Sequence, residues 1–256
     1  MKFVRFLDEG KNKTGILEDN QIIEITSSII ETINNFKKCS ELGAHNLNEV
    51  KILPPVLPSK IVCVGLNYID HARELNMQLP DEPIIFLKPS TGVIGNLDSI
   101  IYPSSSKQVD YEVELAIIIS KKAHQIKEEN ADNYIGGYSI LNDVTARDLQ
   151  SKDVQWTRAK SFDTFCPIGP CIQTQLDPSN QKISLKLNNE IKQQSNTKNM
   201  IFSTQELVEF ISGIMTLNPG DIISTGTPPG VGPMKVEDIV EAEVEGIGVL
   251  RNIIRN

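Results

Sequence analysis

The stretch Val109-Asp-Tyr-Glu-Val-Glu-Leu-Ala-Ile-Ile-Ile119 sets three acids at every second position where an apolar run begins. In a strand, residues two apart point to the same face. Asp110, Glu112 and Glu114 are therefore expected on one face, with Val109, Tyr111, Val113 and Leu115 on the other. The apolar continuation from Ala116 places the acids at the mouth of something buried. Same-face side chains start only about 6.5 to 7 Å apart, and carboxylates that close repel unless a proton or a cation lies between them. With neither His nor Cys nearby, a hard ion such as Mg²⁺, Mn²⁺ or Ca²⁺ suits these oxygens better than zinc. The competing reading is an edge strand shielded by outward charges, and the stretch by itself leaves both open.

Other segments supply what such a centre would need. Gly136-Gly-Tyr-Ser-Ile-Leu-Asn-Asp143 reads as a strand whose polar end delivers a further acid, Asp143, within reach of the first two. Val144 to Trp156 has helical composition, with Arg147 and Gln150 on one side and Ala146, Leu149 and Val154 on another. Arg suits a carboxylate, which it grips with two parallel hydrogen bonds, although a solvated helix face has the same spacing. Lys160 to Pro170 is an ordered loop in which Lys160 could offset excess negative charge or bind substrate. In a helix starting at Tyr68, His71 and Glu74 share a face, and a His beside a carboxylate is held in one tautomer and made a better base. Such pairs are also commonplace on surface helices. Between Gly65 and Pro80 this segment is expected to be mobile without ligand and helical over bound substrate.

The chain's 256 residues, 39% of them hydrophobic, are enough for one large domain with a small appendage. A net charge of −8 argues against a nucleic-acid or anionic-membrane surface. The four cysteines form no C-x-x-C pair, so reduced thiols in a cytoplasmic protein are expected. No apolar run approaches the roughly 18 residues of a membrane span.

Residues 1 to 25 read as a three-stranded meander with a turn over Gly10 to Lys13, followed by a helix from Ser27 to Phe36 capped by Ser27 or Ser28. The prolines of Leu53-Pro-Pro-Val-Leu-Pro58 mark a connector, which divides the chain into an accessory region, 1–57, and a main body, 58–256. Lys60 to Gly65 and Ile84 to Lys88 are buried-strand candidates, and the Lys88-Pro-Ser-Thr-Gly92 exit reads as a turn. Asn188 and Asn189 turn a hairpin between strands drawn over Ile183 to Ile191 and Lys192 to Phe202. Ser203 caps a helix ending at Gly213, with Glu206 completing a capping box. Gly226, Gly230 and Gly232 let backbone amides approach a ligand, but Pro228 and Pro229 and the lack of Gly-Lys-Ser/Thr exclude a P-loop.

Five segments taken together resemble the fumarylacetoacetate hydrolase family, in particular its shorter prokaryotic-type members. They are Asn67-Tyr-Ile-Asp-His71-Ala-Arg-Glu74, Asp110-Tyr-Glu-Val-Glu-Leu115, Leu141-Asn-Asp-Val-Thr-Ala-Arg-Asp-Leu-Gln150, Lys160-Ser-Phe-Asp-Thr-Phe-Cys-Pro-Ile-Gly-Pro170 and Ser224-Thr-Gly-Thr-Pro-Pro-Gly-Val-Gly232. The resemblance implies a mixed α/β, predominantly β fold, a mixed β-sandwich roll with a small N-terminal domain, in a homodimer. It implies Mg²⁺ or Mn²⁺ held by Glu112, Glu114 and Asp143, with Ca²⁺ as a substitute. Lys160 then matches the family's active-site lysine, Arg147 and Gln150 its substrate-contacting pair, and Thr227 the loop residue that binds the substrate carboxylate. His71 and Glu74 match its water-activating dyad. The implied substrates are small anionic 2-oxo or 1,3-diketo acids and their enols, as in aromatic catabolism, handled through a metal-stabilised enolate. Hydrolysis of acylpyruvates or isomerisation of 2-hydroxyhepta-2,4-diene-1,7-dioate is favoured over oxaloacetate decarboxylase or tautomerase chemistry. Ala159 stands where many members have Gly, and Val154 where the eponymous hydrolase has a substrate-contacting Tyr, which points away from fumarylacetoacetate itself. Two readings compete: a Ca²⁺-stabilised sheet protein without catalysis, and Lys160 as a Schiff-base nucleophile.

Overall fold

The computed structural model describes residues 1–256, the side chain of Lys38 excepted. The N-terminal region comprises β1 (Lys2–Asp8), β2 (Lys11–Glu18), β3 (Gln21–Ile25), α1 (Ile29–Asn34), β4 (Glu41–Asn46) and β5 (Lys51–Leu53). After the proline connector come β6 (Ile61–Val64), α2 (Ile69–Glu74), β7 (Ile85–Lys88), β8 (Val93–Ile94), β9 (Ser99–Ile101), β10 (Val109–Tyr111), β11 (Val113–Ile119), β12 (Ile135–Asn142) and β13 (Thr145–Ala146). The rest holds α3 (Arg147–Lys152), α4 (Thr157–Lys160), β14 (Cys166–Gln173), β15 (Lys182–Leu187), β16 (Glu190–Asn196), α5 (Thr204–Ile214), β17 (Ile222–Ser224), β18 (Gly232–Met234), β19 (Ile239–Val244) and β20 (Gly248–Arg255).

The largest sheet runs β4-β3-β2-β1-β14-β12-β11-β17-β6-β7, with β5 on β1 and β8 on β14. The accessory region is thus hydrogen-bonded into the main body's sheet through Lys2↔Gln173 and Phe3↔Ile172. A five-stranded sheet, β16-β15-β19-β20-β9, lies on one side, and β13-β10-β18 form a short third sheet. Strand β11 is buried along its whole length and feeds two cores. Val113, Leu115, Ile117 and Ile119 pack with Leu185, Ala242 and Val244 of the five-stranded sheet and with Leu207 and Ile211 of α5. Ala116 and Ile118 pack instead with Ile61, Cys63, Leu141, Ile168 and Ile172, alongside Phe3, Ile16 and Ile29 from the N-terminal region. A strand covered on both faces reads as an unbroken apolar run, and Leu115 to Ile119 does so.

The acidic stretch differs from the single strand expected. The chain leaves β10 after Tyr111 and enters β11 at Val113, passing from the short sheet to the large one at Glu112. The Glu112 amide, freed from a ladder there, donates to the Asn142 carboxamide at 2.8 Å. The expected helix over Val144 to Trp156 is divided. Thr145 and Ala146 pair with Asp110 and Val109, and α3 and α4 are separated by Asp153 in an extended conformation. Val154 is fully exposed, outside the helical face assigned to it.

The turn near Gly10 is tighter than expected, because the ladder resumes at Lys11 opposite Asp8. Ser28 caps α1 and Ser203 caps α5, each with a complete capping box. Gly213 does not stop α5, which runs to Ile214 and closes through the Met215 amide on Ile211. Asn188 and Asn189 turn the β15–β16 hairpin with φ of 52° and 67°, and the first strand ends at Leu187, before the turn. No helix is long and apolar enough to cross a membrane among the described residues.

Candidate active site

Glu112, Glu114 and Asp143 converge: one oxygen of each lies within 4.8 Å of the other two, and all three residues are buried. Asp143 follows directly on β12, and its amide donates to the Glu112 carbonyl at 2.8 Å, which ties the end of β12 to the strand break. Glu114 Oε2 accepts the Ser224 hydroxyl at 2.5 Å and the Gly226 amide at 2.8 Å. The sheet and the Gly/Pro loop together therefore fix the carboxylate directions.

Three cations answer the acids. Lys160 Nζ lies 3.0 Å from Glu112 Oε2, 2.6 Å from Asp143 Oδ2 and 4.9 Å from the centre of the Phe86 ring. Lys88 Nζ lies 2.5 Å from Asp143 Oδ1 and 3.0 Å from the Val144 carbonyl. Arg147 donates from Nε to Asp110 Oδ2 at 2.8 Å, from Nη1 to Gln150 Oε1 at 2.5 Å and from Nη2 to Glu112 Oε1. Asp110 is thus Arg147's partner, while the other two acids of its stretch join Asp143. Four carboxylates against three cations leave one negative charge. Burial works against the Glu112 anion, but Lys160 and Arg147 overcome it and hold this carboxyl below the usual range. Burial pushes the Glu114 carboxyl upward, and Asp143 and Glu112 push it further. Burial disfavours the charged Lys160, yet Asp143 and Glu112 raise its pKa and keep it an ammonium. That is the opposite of the deprotonated amine that a Schiff-base nucleophile requires.

A hard divalent ion fits this cage. The donors are carboxylate oxygens alone, and the crowding of Glu114 by Asp143 and Glu112 is what a further cation would relieve.

Glu112, Asp143 and Lys160 line a cavity of about 720 Å³. Leu75, Met77, Ile84, Phe86 and Trp156 make one wall, and His71, Glu74, Arg147, Gln150 and Thr227 also line it. His71 and Glu74 sit on α2 with Nδ1 2.8 Å from Oε2. With Glu74 accepting the Nδ1 proton, Nε2 is left as the basic nitrogen of the neutral ring. The helix is tethered at both ends. Asp70 Oδ2 accepts Ser195 Oγ at 2.5 Å and Asn199 Nδ2 at 3.2 Å, and the Gly230 amide donates to Glu74 Oε1 at 3.1 Å. Within the segment expected to be mobile without ligand, Ile69–Glu74 form α2 and His71 is buried.

The Gly/Pro loop uses its amides on protein carboxylates rather than leaving all of them for a ligand. Gly226, at φ +96°, serves Glu114, and Gly230, at φ +93°, serves Glu74. Thr227's hydroxyl donates to the Val113 carbonyl and accepts from Gln193, both at 2.9 Å. Among the described residues its amide has no hydrogen-bond acceptor, and Thr227 lines the cavity.

All nine residues singled out in the sequence therefore lie in the cage or on the cavity wall. Lys88, Asn142, Ser224 and Gln193 were missed. Lys88 ends the expected strand Ile84 to Lys88 and follows Phe86 at strand spacing, so it shares the face of a cavity residue. Gln193 sits in the polar run Lys192 to Asn196, which carries no signal.

The family model described as fumarylacetoacetate (FAA) hydrolase C-terminal matches residues 60–255, and one described as Rv2993c-like, N-terminal matches residues 1–55. The chain belongs to the fumarylacetoacetate hydrolase family, whose mixed, strand-dominated fold it shares. It is 47% identical to the mitochondrial oxaloacetate tautomerase Fahd2a of Rattus norvegicus, over 80% of this chain and 69% of that one. The crystal structure of 5-carboxymethyl-2-hydroxymuconate delta-isomerase from Mycobacterium smegmatis superposes with a TM-score of 0.91 at 39% identity, covering 100% of this chain and 99% of that one. Maleylpyruvate hydrolase from Sphingobium sp. SYK-6, in complex with manganese(II) and pyruvate, does so with a TM-score of 0.84 at 28% identity, covering 100% and 99%.

Proposed function

We propose that the protein is an Mg²⁺- or Mn²⁺-dependent enzyme that moves a proton on a small anionic 2-oxo acid or its enol, as an isomerase or tautomerase. The observation that carries this reading is the meeting, in one cavity, of a buried Glu-Glu-Asp cage and a His-Glu dyad. A divalent ion held by Glu112, Glu114 and Asp143 would supply Lewis-acid stabilisation of negative charge on the 2-oxo oxygen. The free Thr227 amide and the unused guanidinium hydrogens of Arg147 meet the substrate carboxylate. His71 Nε2 takes the proton from the carbon beside the carbonyl and returns it at the new position, while Glu74 holds the ring's orientation through Nδ1. Lys160, held as an ammonium, offsets charge that builds in the substrate. Phe86 and Trp156 keep the apolar wall dry, which strengthens each of these attractions.

The names of the tautomerase and isomerase relatives support proton transfer as the first reading. C–C hydrolysis is the second, favoured by the maleylpyruvate hydrolase likeness, with His71 activating water in place of the carbon acid. A panel of oxaloacetate, 2-hydroxydienedioates and acylpyruvates with Mg²⁺ or Mn²⁺ tests both. Decay of enol absorbance and deuterium exchange at the carbon acid report tautomerisation or isomerisation, and carboxylate release reports hydrolysis. No turnover of any member would overturn the reading.

The chemistry is assigned to residues 58–256, since the cavity lining runs from Val64 to Val231 and leaves residues 1–57 accessory. A homodimer in the cytoplasm completes the reading, and the four free cysteines support a reducing compartment.

A further inference from the structure

Gln193 is the one buried residue of β16, yet it does not line the cavity. Strand β17 pairs with β11 as far as Ser224↔Ala116, and the Thr225 amide extends the contact to the Leu115 carbonyl at 3.0 Å. By the same register the next rung would join Val113 to Thr227, but the Thr227 amide does not bond the Val113 carbonyl and the chain leaves the ladder into Pro228 and Pro229. Side chains complete the ladder instead. Thr227's hydroxyl donates to the Val113 carbonyl at 2.9 Å, and the Gln193 carboxamide oxygen accepts the Val113 amide at 3.0 Å. Gln193 Nε2 gives its two hydrogens to Thr227 Oγ1 at 2.9 Å and to the Pro228 carbonyl at 2.8 Å.

Val113 stands between Glu112 and Glu114, so the set of its peptide planes governs how far apart the two carboxylates are held. The same carboxamide fixes Thr227, a cavity-lining residue whose amide has no acceptor. We infer that Gln193 is a positioning residue for the site, joining the acidic strand to the Thr227 loop. Its carboxamide oxygen serves the cage and its amino group serves the substrate side. This rests on the proposed reading of the cage as a metal centre.

The test compares the full-length wild-type chain with Gln193→Leu and Gln193→Glu, and with Gln194→Leu, which alters an exposed neighbour on the same strand. Mn²⁺ affinity is read by electron paramagnetic resonance, oxalate affinity of the Mn²⁺ form by calorimetry, and KM and kcat on the best substrate. Gln193→Leu removes all three bonds, so Mn²⁺ and oxalate binding should each weaken about tenfold, with KM rising more than kcat falls. Gln193→Glu keeps the acceptor and loses both donors, so Mn²⁺ binding should stay within about threefold of wild type while oxalate binding weakens about tenfold. Gln194→Leu should match wild type throughout.

A folded Gln193→Leu chain that binds Mn²⁺ and oxalate like wild type overturns the inference. So do equal losses for both ligands in Gln193→Glu, and that variant decides the matter if the leucine chain does not fold. A wild-type chain that binds no Mn²⁺ overturns the proposed function itself, and is thereby distinguished from a failure of Gln193 alone.

Discussion

Lys88 grips Asp143 without reaching the cavity: its ammonium lies 2.5 Å from Oδ1, and both residues are 1% exposed. Lys160 holds the other oxygen of the same carboxylate at 2.6 Å, so Asp143 is fixed from two sides. Removing one member of a buried ion pair leaves the other charge uncompensated, at a cost of about 3 to 5 kcal/mol. Lys88→Met should therefore lower unfolding free energy by about 3 kcal/mol in a urea titration. A change below about 0.5 kcal/mol, the size of an ordinary surface substitution, would show that Lys160 alone suffices.

The three-carboxylate cage predicts a stability linked to metal. Mn²⁺ should raise the melting temperature of the wild-type chain, and a chelator should remove both that increment and the activity. Glu114→Gln keeps an oxygen for Ser224 and Gly226 while discarding the charge, so it should fold normally and lose the Mn²⁺-dependent increment. Full activity of the wild type in excess chelator would contradict a metal centre.

His71→Ala should cut turnover by about two to four orders of magnitude, with Mn²⁺ and oxalate affinities almost unchanged, because neither is held by α2. Glu74→Ala should follow the same pattern less severely, and its loss of the Gly230 contact should show as faster hydrogen exchange in α2. Parallel loss of oxalate affinity and turnover would reduce the dyad to a structural ion pair.

Asp221 gives a pH dependence remote from the cage. Burial raises its pKa, but hydrogen bonds from Lys60, Ser59 and the Asn218 amide prevail and leave it below the ordinary value. A carboxyl with a depressed folded pKa contributes stability that is fully present above its unfolded value, near 3.9, and is lost as pH falls through the folded value. The stability gap between wild type and Asp221→Asn should thus be constant at neutral pH and shrink below about pH 4. Urea midpoints at a series of pH values would show it. A gap independent of pH down to about 2 would mean that the carboxyl's ordinary pKa is kept.

Much of this was legible because the signals are local. The apolar run Leu115 to Ile119, the two Ser-Glu capping boxes and the paired asparagines each act within a few residues. Charge repulsion at strand spacing marked the acidic stretch, but it did not separate Asp110 from Glu112 and Glu114, and the set Glu112, Glu114 and Asp143 came from the family resemblance. What could not be read depends on which strand arrives alongside. The change of sheet at Glu112, and the withdrawal of Thr145 and Ala146 from the expected helix, follow from β13 and β18 pairing with β10. Lys88 and Gln193 acquire their roles only from Asp143 and Val113, 55 and 80 residues away along the chain.

The pairing of β1 with β14 has a consequence for any shortened form of the molecule. Ile172 and Gln173 meet the first strand there, and Phe3, Ile16 and Ile29 cover Ile118, Ile168 and Ile172. A chain cut to residues 58–256 would keep every cavity residue yet present a bare sheet edge beside a stripped apolar face. Such an edge recruits another chain's backbone, so a chain cut to residues 58–256 should aggregate more readily than the full chain.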